Sequence, residues 1–213
     1  MSILWPCPLA VDAYAACGQA IDPPRPPCPA CGAPTQAWHG YWRHLRDVGD
    51  RLIWIPRVRC SRCGRTQALL PWFVLPWRWD AVTWIGRALE LAAQGLGHRP
   101  IAAVLARPET TVRGWLRRLR LGAPELTRRL LAEAVRAGWS GFELPVPPLP
   151  RLAAAVRARA AQWLRRHGPA DGWWVANLVT GGALLGTNRD APLAPAGADA
   201  SMAPTAPEVP DGP

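Results

Sequence analysis

The chain contains no lysine, so all 25 of its basic residues are arginine, and asparagine and isoleucine are also scarce. A GC-rich genome explains this usage, and the arginine excess alone therefore does not indicate phosphate binding. No segment reaches the ~18 consecutive uncharged apolar residues that suggest a membrane span. The N-terminus has no basic stretch ahead of its apolar residues, which a secretory signal would require. These absences predict a cytoplasmic protein that is not inserted in a membrane.

Positive charge is what the chain has in excess, with a formal net charge of +10. Residues 28–80 carry eight arginines against three acids, and residues 81–121 carry seven arginines against two acids. Residues 122–190 add nine arginines against five acids, whereas both ends of the chain are net negative. The positive charge is therefore concentrated in the middle of the chain, where it favours a polyanionic partner.

Four of the six cysteines form two pairs with C-x2-C spacing, each followed by glycine (Gly32 and Gly64). The pairs are Cys28 with Cys31 and Cys60 with Cys63. Two such pairs complete the tetrahedral four-thiolate site that Zn²⁺ prefers, and this closed site leaves no coordination position for catalysis. Redox C-x2-C motifs usually occur singly before a helix, in a βαβ setting that is absent here. We expect a structural Zn²⁺ ion and free thiols at Cys7 and Cys17.

The predicted fold is mainly α with a small β zinc ribbon, an α+β class. Runs rich in Trp, Ile and Val at 36–45 and 51–60 flank turn-forming residues, which predicts a hairpin, and 66–70 predicts a third strand. The aromatic connector 71–79 is expected to pack the ribbon against the helices, or alternatively to stack on a ligand. Asp80 is the expected N-cap of a helix that ends near Gln94.

Changes in composition and in the predicted secondary structure divide the chain into five parts. These are an irregular N-terminal arm (1–27), the four-cysteine zinc ribbon with its aromatic connector (28–80), a helix-turn-helix domain (81–144), C-terminal helices (145–190), and a disordered Ala/Pro-rich tail (191–213). Within the later parts, Pro124 is expected to open a new helix, and the apolar stretch 172–185 is a candidate homodimer face.

After the cysteine pairs, the segment around residues 101–121 says most about function. It predicts a short helix around Ile101 that stops near Pro108, followed by a basic helix that Thr110 or Thr111 would cap. Four apolar residues of the basic helix face one side, namely Val112, Trp115, Leu116 and Leu119. A small Ala102 directly after Ile101, Val112 eleven residues past Ile101 and Trp115 three residues further on match a helix-turn-helix. Ala106 stands where glycine often occurs in the turn, which is a mild departure from the motif. An ordinary helical hairpin with a solvated basic face is the alternative.

The second helix of a helix-turn-helix lies in the major groove with its N-terminal half towards the bases. Arg113 and Arg117 are one turn apart and are the predicted base readers, because arginine to guanine is the commonest specific contact. The full set of predicted DNA contacts is Thr110, Thr111, Arg113, Gly114, Arg117, Arg118 and Arg120 on the helix, Arg99 and Arg107 beside it, and Arg57, Arg59, Arg62 and Arg65 on the ribbon. The ribbon arginines, like Arg118 and Arg120, would contact phosphates.

Several short motifs occur in a familiar order. They are the Cys-Pro-x-Cys-Gly knuckle, His39-Gly40-Tyr41, Arg-Val-Arg-Cys-Ser-Arg-Cys-Gly-Arg-Thr at 57–66, Leu-Leu-Pro at 69–71, and Trp-Trp-Val-Ala-Asn-Leu-Val-Thr-Gly-Gly-Ala-Leu-Leu at 173–185. Their order resembles the N-terminal half of certain bacterial insertion-sequence transposases. It resembles still more a family of short bacterial proteins that keep the zinc ribbon and helix-turn-helix alone. The resemblance covers roughly 28–188 and implies double-stranded DNA binding by a module of mobile-element origin.

Such transposases cut DNA with three carboxylates on a ribonuclease-H-like domain that holds Mg²⁺. Here the acids beyond the helix-turn-helix are few, and no strand-rich segment could carry them, so we expect no nuclease or transposase activity. Two other functions stay open, a protein-interaction adapter and a target-recognition subunit for a separate transposase. RNA also stays open as a ligand, since exposed Trp and Arg suit single strands.

Overall fold

A computed structural model of the chain describes residues 2–138 and 143–186. It has helices together with a small four-stranded mixed sheet, so the α+β class expected from the sequence is confirmed at this level. The predicted Ala/Pro-rich tail, 191–213, lies outside the described residues.

The sheet contains the hairpin and the third strand that the sequence predicts. Its strands are β1 (Ser2–Trp5), β2 (Thr35–Arg46), β3 (Asp50–Cys60) and β4 (Thr66–Pro71), in the spatial order β1-β4-β3-β2. β2 and β3 run antiparallel with a β-bulge between Trp38 and Tyr41, and β4 runs antiparallel to β3. The long strand β2 therefore forms one edge of the sheet.

The N-terminal residues are not the irregular arm that the sequence suggested. β1 pairs in parallel with β4, with Ser2 opposite Ala68. A helix, α1 (Val11–Cys17), then buries Tyr14, whose hydroxyl donates a hydrogen bond to the carbonyl oxygen of Trp54 at 2.8 Å. A single 3-10 turn follows the helix (Gly18–Ala20). The prediction was wrong because a parallel partner far along the chain leaves no local pattern in a four-residue strand.

The connector packs the sheet against the helices, as expected. Residues 72–75 are all buried. The side-chain amide of Asn177, on the last helix, donates hydrogen bonds to the carbonyl oxygens of Trp72 at 2.7 Å and Val74 at 3.0 Å. Because these bonds satisfy buried backbone groups, they fix the last helix to the connector.

Five helices follow the sheet in the part of the chain that the structure describes. They are α2 (Val82–Ala93), α3 (His98–Leu105), α4 (Glu109–Arg136), α5 (Pro148–His167) and α6 (Gly172–Val179). The expected helix start at Pro124 is wrong, since α4 continues through this proline. Proline inside a helix costs about 3 kcal/mol. Pro124 is exposed, so water can bond the carbonyl it leaves unpaired, and burial of the neighbouring Ala123 and Leu126 offsets the cost.

Two expected helix caps are also wrong. α2 begins at Val82 after Ala81, and the buried Asp80 forms an ion pair with Arg107 instead of capping the helix. α4 begins at Glu109 after Pro108 without a side-chain cap, which places Thr110 and Thr111 inside its first turn. In both cases tertiary contacts or proline geometry, and not side-chain capping, decide where the helix starts.

The helices and the sheet share one hydrophobic core. α2 and α6 approach closely at Gly86, where an added Cβ would lie 2.1 Å from the ring of Trp173. The apolar side chains Val175, Ala176 and Leu178 of α6 are buried in this core. The predicted dimer face on this helix is therefore used within the chain itself.

Candidate functional site

The four cysteines with paired spacing lie together at one end of the sheet. Their Sγ atoms are all within 4.8 Å of one another. The distance from Cys28 Sγ to Cys63 Sγ is 3.7 Å, and from Cys31 Sγ to Cys60 Sγ it is 3.5 Å. Sulfur atoms around a tetrahedral ion with metal–sulfur bonds of about 2.3 Å are about 3.8 Å apart. The cluster therefore fits one tetrahedral metal ion.

Each cysteine pair sits on a turn that brings backbone amides towards sulfur. Gly32 and Gly64 have φ of 71° and 68°, which glycine adopts without steric cost. In the second turn, the amide nitrogens of Arg62 and Cys63 lie 3.4 Å from the Sγ of Cys60. Amide dipoles directed at sulfur favour the thiolate, which is the form that binds metal.

The electrostatics of the cluster favour a bound cation. The backbone amide of Ala33 is the main cause that lowers the pKa of Cys31, to about 6. At Cys63 the amide of Arg65 acts in the same direction, but desolvation and the neighbouring sulfurs outweigh it and raise the pKa to about 11. Four thiolates cannot all be ionised at this distance unless a positive ion balances them, so metal binding would release protons.

The other two cysteines lie outside the cluster. Cys7 and Cys17 are both free, as expected. Cys7 is fully buried, and burial raises its pKa to about 12. Its thiol is therefore neutral at physiological pH, and it is not one of the four cysteines whose sulfurs lie together.

α3 and α4 are joined by a turn at 106–108. Ala106, which stands where glycine often occurs in a helix-turn-helix, adopts a left-handed conformation with φ of 49° and ψ of 48°. The buried residues of α3 are Ile101, Ala102 and Leu105, and those in the first three turns of α4 are Val112, Trp115, Leu116 and Leu119. The predicted apolar face of α4 is therefore confirmed.

The opposite side of α4 carries the predicted DNA contacts. Thr110, Arg113, Arg117 and Arg120 are exposed, whereas Thr111, Gly114 and Arg118 are half-buried. The four exposed residues are spaced by three, four and three positions, so they form one stripe along the helix. Arg99 is exposed beside this stripe, where it lies 3.6 Å from a carboxylate oxygen of Glu109.

Arg107 has a different role from the DNA clamp that the sequence suggested. Its Nε donates to Oδ1 of Asp80 at 2.8 Å, and its Nη2 donates to the carbonyl oxygen of Asp47 at 3.2 Å. Its side chain is only 15% exposed. Because these groups occupy the guanidinium, Arg107 fastens the turn between α3 and α4 to the tip of the hairpin.

The ribbon arginines lie at the other end of the sheet. Arg59 is over the ring of Trp38, with 4.7 Å from Cζ to the ring centre, and Arg57 donates to Oγ1 of Thr66. Arg62 donates to the carbonyl oxygen of Cys31, and Arg65 is exposed. Arg57 and Arg59 lie seven and nine residues along β3 from Asp50 at the hairpin tip, which is roughly 23 and 30 Å at about 3.3 Å per residue. The structure therefore forms two basic surfaces and does not merge them.

For the whole connector, 71–79, the sequence predicted packing against the helices, with ligand stacking as the alternative, and did not separate residues 76–79 from the rest. Trp77 and Trp79 are 83% and 59% exposed, although the adjoining part of the connector is buried. The only sequence signal was the run Pro-Trp-Arg-Trp, in which two tryptophans flank an arginine. We call residues 76–79 the tryptophan loop.

The comparisons with known proteins add one similarity. A family described as "Domain of unknown function (DUF6431)" matches residues 28–115, which contain all four paired cysteines, the tryptophan loop and the start of α4. No curated protein and no solved structure matches the chain. In the described ranges, 2–138 and 143–186, none of the helices is long and apolar enough to cross a membrane.

Proposed function

We propose that this chain is a DNA-binding protein of transposase-like origin, in which a structural Zn²⁺ ion holds the ribbon and α4 reads double-stranded DNA. Its role is to bind, and we propose no catalytic step. The motif order described above supports the mobile-element origin.

Zn²⁺ is the ion that suits the cysteine cluster best. Four thiolates in tetrahedral arrangement are a typical structural zinc site, and they leave no open position for water or substrate. When bound, the ion would cross-link the two turns that carry Cys28, Cys31, Cys60 and Cys63. The chain's own contribution is to direct amides at the sulfurs and to order β2, β3 and β4 around them.

The single observation that carries the DNA proposal is the two-sided character of α4. One side is buried through Val112, Trp115 and Leu116, and the other side presents an exposed stripe with Arg113 and Arg117. α3 precedes this helix across a three-residue turn, as in a helix-turn-helix. A helix held in this way can enter the major groove without losing contacts to its own core.

Within the proposed complex, the arginines of α4 have different tasks. Arg113 and Arg117 read guanine through O6 and N7, and each good pair contributes about 1–3 kcal/mol of discrimination. Arg120 and the half-buried Arg118 contact phosphates, which contributes affinity and salt dependence without sequence information. The ribbon arginines contact a more distant phosphate segment, and Arg107 is removed from the proposed contacts.

Selection of bound sequences from a random duplex pool tests this proposal directly. We expect enrichment of a guanine-containing motif and binding that weakens steeply with salt. A parallel selection in the presence of a zinc chelator should lose the motif. The proposal fails if the zinc-loaded protein retains no duplex at low ionic strength.

A further inference from the structure

The tryptophan loop holds two indole rings in solvent at a cost in backbone strain. Trp77 has φ of 60°, a left-handed conformation that a bulky side chain rarely adopts. Strain of this kind costs on the order of 1–3 kcal/mol and is concentrated at functional sites. The fold gains no burial from Trp77 in return, because the side chain is 83% exposed.

Trp79 belongs to an exposed stack on the edge strand β2. Its ring lies on that of His44, with 6.2 Å between ring centres and 29° between ring planes. The guanidinium of Arg46 lies 5.2 Å from the centre of the same ring. The Arg46 amide donates to the Trp79 carbonyl oxygen at 2.6 Å, and the Ala81 amide donates to the Arg46 carbonyl oxygen at 2.9 Å. The stack is therefore fixed to the sheet by backbone hydrogen bonds.

Positive charge beside this stack exceeds the negative charge near it. Arg78 is half-buried, and its Nε has no hydrogen-bond partner in the structure. Desolvation is the main cause that lowers the pKa of Arg78, and repulsion from the nearby Arg118 of α4 lowers it further, while Asp80 acts in the opposite direction without cancelling them.

The acids nearby are used elsewhere. Asp80 is paired with Arg107, and Oδ1 of Asp47 accepts from Nε1 of Trp84 at 3.0 Å. Asp50 is 3.9 Å from Arg46 and 77% exposed, so it screens that arginine only weakly. The surface thus combines open aromatic faces with a surplus of cations.

We propose that the tryptophan loop and the neighbouring residues His44 and Arg46 bind unpaired nucleic-acid bases and the phosphates that join them. Trp77 and Trp79 would stack on bases, and Arg46 and Arg78 would meet the phosphates. Stacked aromatic side chains with basic neighbours are the usual means of holding single strands. This surface adjoins α4 where Arg78 lies near Arg118, but it contains neither Arg113 nor Arg117, so single-strand binding here does not depend on base reading by α4.

Charge favours this occupant over a second copy of the chain. Two copies that met through this surface would bring Arg46 and Arg78 of each copy together. Like charges in an interface are unfavourable by several kcal/mol. A single strand supplies phosphates for the same groups and π-faces for the indoles.

Fluorescence anisotropy with labelled oligothymidylate, oligouridylate and a DNA duplex tests the proposal. Trp77→Ala and Trp79→Ala should each weaken binding of at least one single strand by about 5- to 150-fold, the range expected for loss of one stacked base. Comparison of the affinities for oligothymidylate and oligouridylate shows whether the surface prefers DNA or RNA. Duplex binding should change little in these variants, whereas Arg113→Ala with Arg117→Ala should weaken the duplex and spare the single strand.

Two further variants separate binding from structure. Trp77→Gly relieves the left-handed strain, so it should leave the melting temperature unchanged or higher while it still weakens single-strand binding. Trp38→Ala is the matched control, because Trp38 is an exposed tryptophan beside an arginine but lies six residues from His44 along β2, roughly 20 Å away. The proposal is overturned if Trp77→Gly binds the single strands as tightly as the parent, or if Trp38→Ala weakens single-strand binding as much as the loop variants do. It is also overturned if the loop variants abolish self-association of the chain and leave single-strand binding unchanged.

Discussion

At the residue scale, the contact that most constrains the proposed DNA surface is the ion pair between Asp80 and Arg107. The two side chains are 8% and 15% exposed, and their closest atoms are 2.8 Å apart. The guanidinium of Arg107 also lies over Trp84, 5.2 Å from the ring centre. One residue in the turn between α3 and α4 is therefore tied to both the connector and α2.

Removal of one partner from this pair should be costly. Asp80→Ala leaves a largely buried guanidinium unpaired, and we expect a loss of about 3 kcal/mol in the free energy of unfolding. Urea denaturation measures the loss, and Arg107→Met in the same chain should recover much of it. The matched control is Glu109→Ala, which breaks the exposed pair with Arg99 and should cost less than about 1 kcal/mol. Equal costs for the two alanine variants would contradict the role given to Arg107.

Also at the residue scale, Arg113 and Arg117 carry the proposed reading of bases. Arg113→Ala with Arg117→Ala should lower the affinity for the selected duplex by about 2–6 kcal/mol in total and should reduce the preference over a scrambled duplex. Titration of both duplexes at several salt concentrations measures the two effects. Arg157→Ala with Arg165→Ala removes the same charge from exposed positions on α5 and is the matched control. If the control loses the same preference, net charge and not α4 determines binding.

At the element scale, α6 is positioned by a cap and by a close contact. Asp171 precedes the helix and accepts hydrogen bonds from the amides of Trp173 at 2.7 Å and Trp174 at 3.2 Å. Burial nevertheless raises the pKa of Asp171, since desolvation outweighs these bonds. On the other side of the helix, the ring of Trp173 covers Gly86 of α2. The start of α6 is thus locked to α2, which in turn contacts α3 and α4.

The cap at Asp171 should give a measurable pH dependence. Because the pKa of Asp171 is higher in the folded than in the unfolded protein, its protonated form stabilises the fold. This contribution to the free energy of unfolding is present at low pH and is lost as pH rises through the folded-state pKa. Asp171→Asn keeps the acceptor without the charge, so it should remove this loss and leave stability at neutral pH equal or higher. Asp171→Ala removes the cap and should cost about 1 kcal/mol. Thermal unfolding from pH 3 to pH 7 distinguishes them, and an identical pH profile for Asp171→Asn and the parent would contradict the assignment.

The contact at Gly86 offers a second test at this scale. Gly86→Ala would place a methyl group 2.1 Å from the Trp173 ring, so α2 and α6 must separate. Overpacking of this kind costs typically about 1–3 kcal/mol, although alanine is the better helix former by about 1 kcal/mol. Gly114→Ala is the matched control, because a Cβ there meets only the end of the flexible Arg118 side chain at 3.3 Å. Chemical denaturation should show a loss for Gly86→Ala and little change or a gain for Gly114→Ala.

At the scale of the whole molecule, the four-cysteine cluster and the α3–α4 turn lie at opposite ends of one sheet. β2 and β3 connect the cysteine turns to the hairpin tip, and the hairpin tip contacts Arg107. If the ribbon becomes disordered, the loss of structure can therefore extend along β2 and β3 to the hairpin tip and weaken the contacts that position the proposed DNA surface.

Removal of the metal should expose this connection. We expect one bound Zn²⁺ per chain, measured by elemental analysis, and a lower melting temperature with weaker duplex binding after chelation. Cys60→Ser should lose the ion, whereas Cys17→Ser, a half-buried thiol outside the cluster, should keep it. Duplex binding that is unchanged after complete metal removal would contradict the connection between the ribbon and α4.

Local sequence patterns were sufficient for the features that depend on near neighbours. The C-x2-C spacing identified the cluster of Cys28, Cys31, Cys60 and Cys63, and alternation around a turn identified the β2–β3 hairpin. Helical spacing placed Val112 and Trp115 on the buried side of α4. Spacing predicts these features because chain geometry over a few residues dictates them.

Local spacing was thus enough to predict the four-cysteine cluster, the hairpin and the two-sided character of α4. Long-range packing sets the other features, since β1 pairs with β4, Asp80 binds Arg107 and not a helix end, and α4 continues through Pro124. Long-range packing also leaves Trp77 and Trp79 in solvent while 72–75 are buried. The physical reason is the same throughout. Each outcome depends on groups that are distant in the chain and meet only when the core forms, so no local pattern records it.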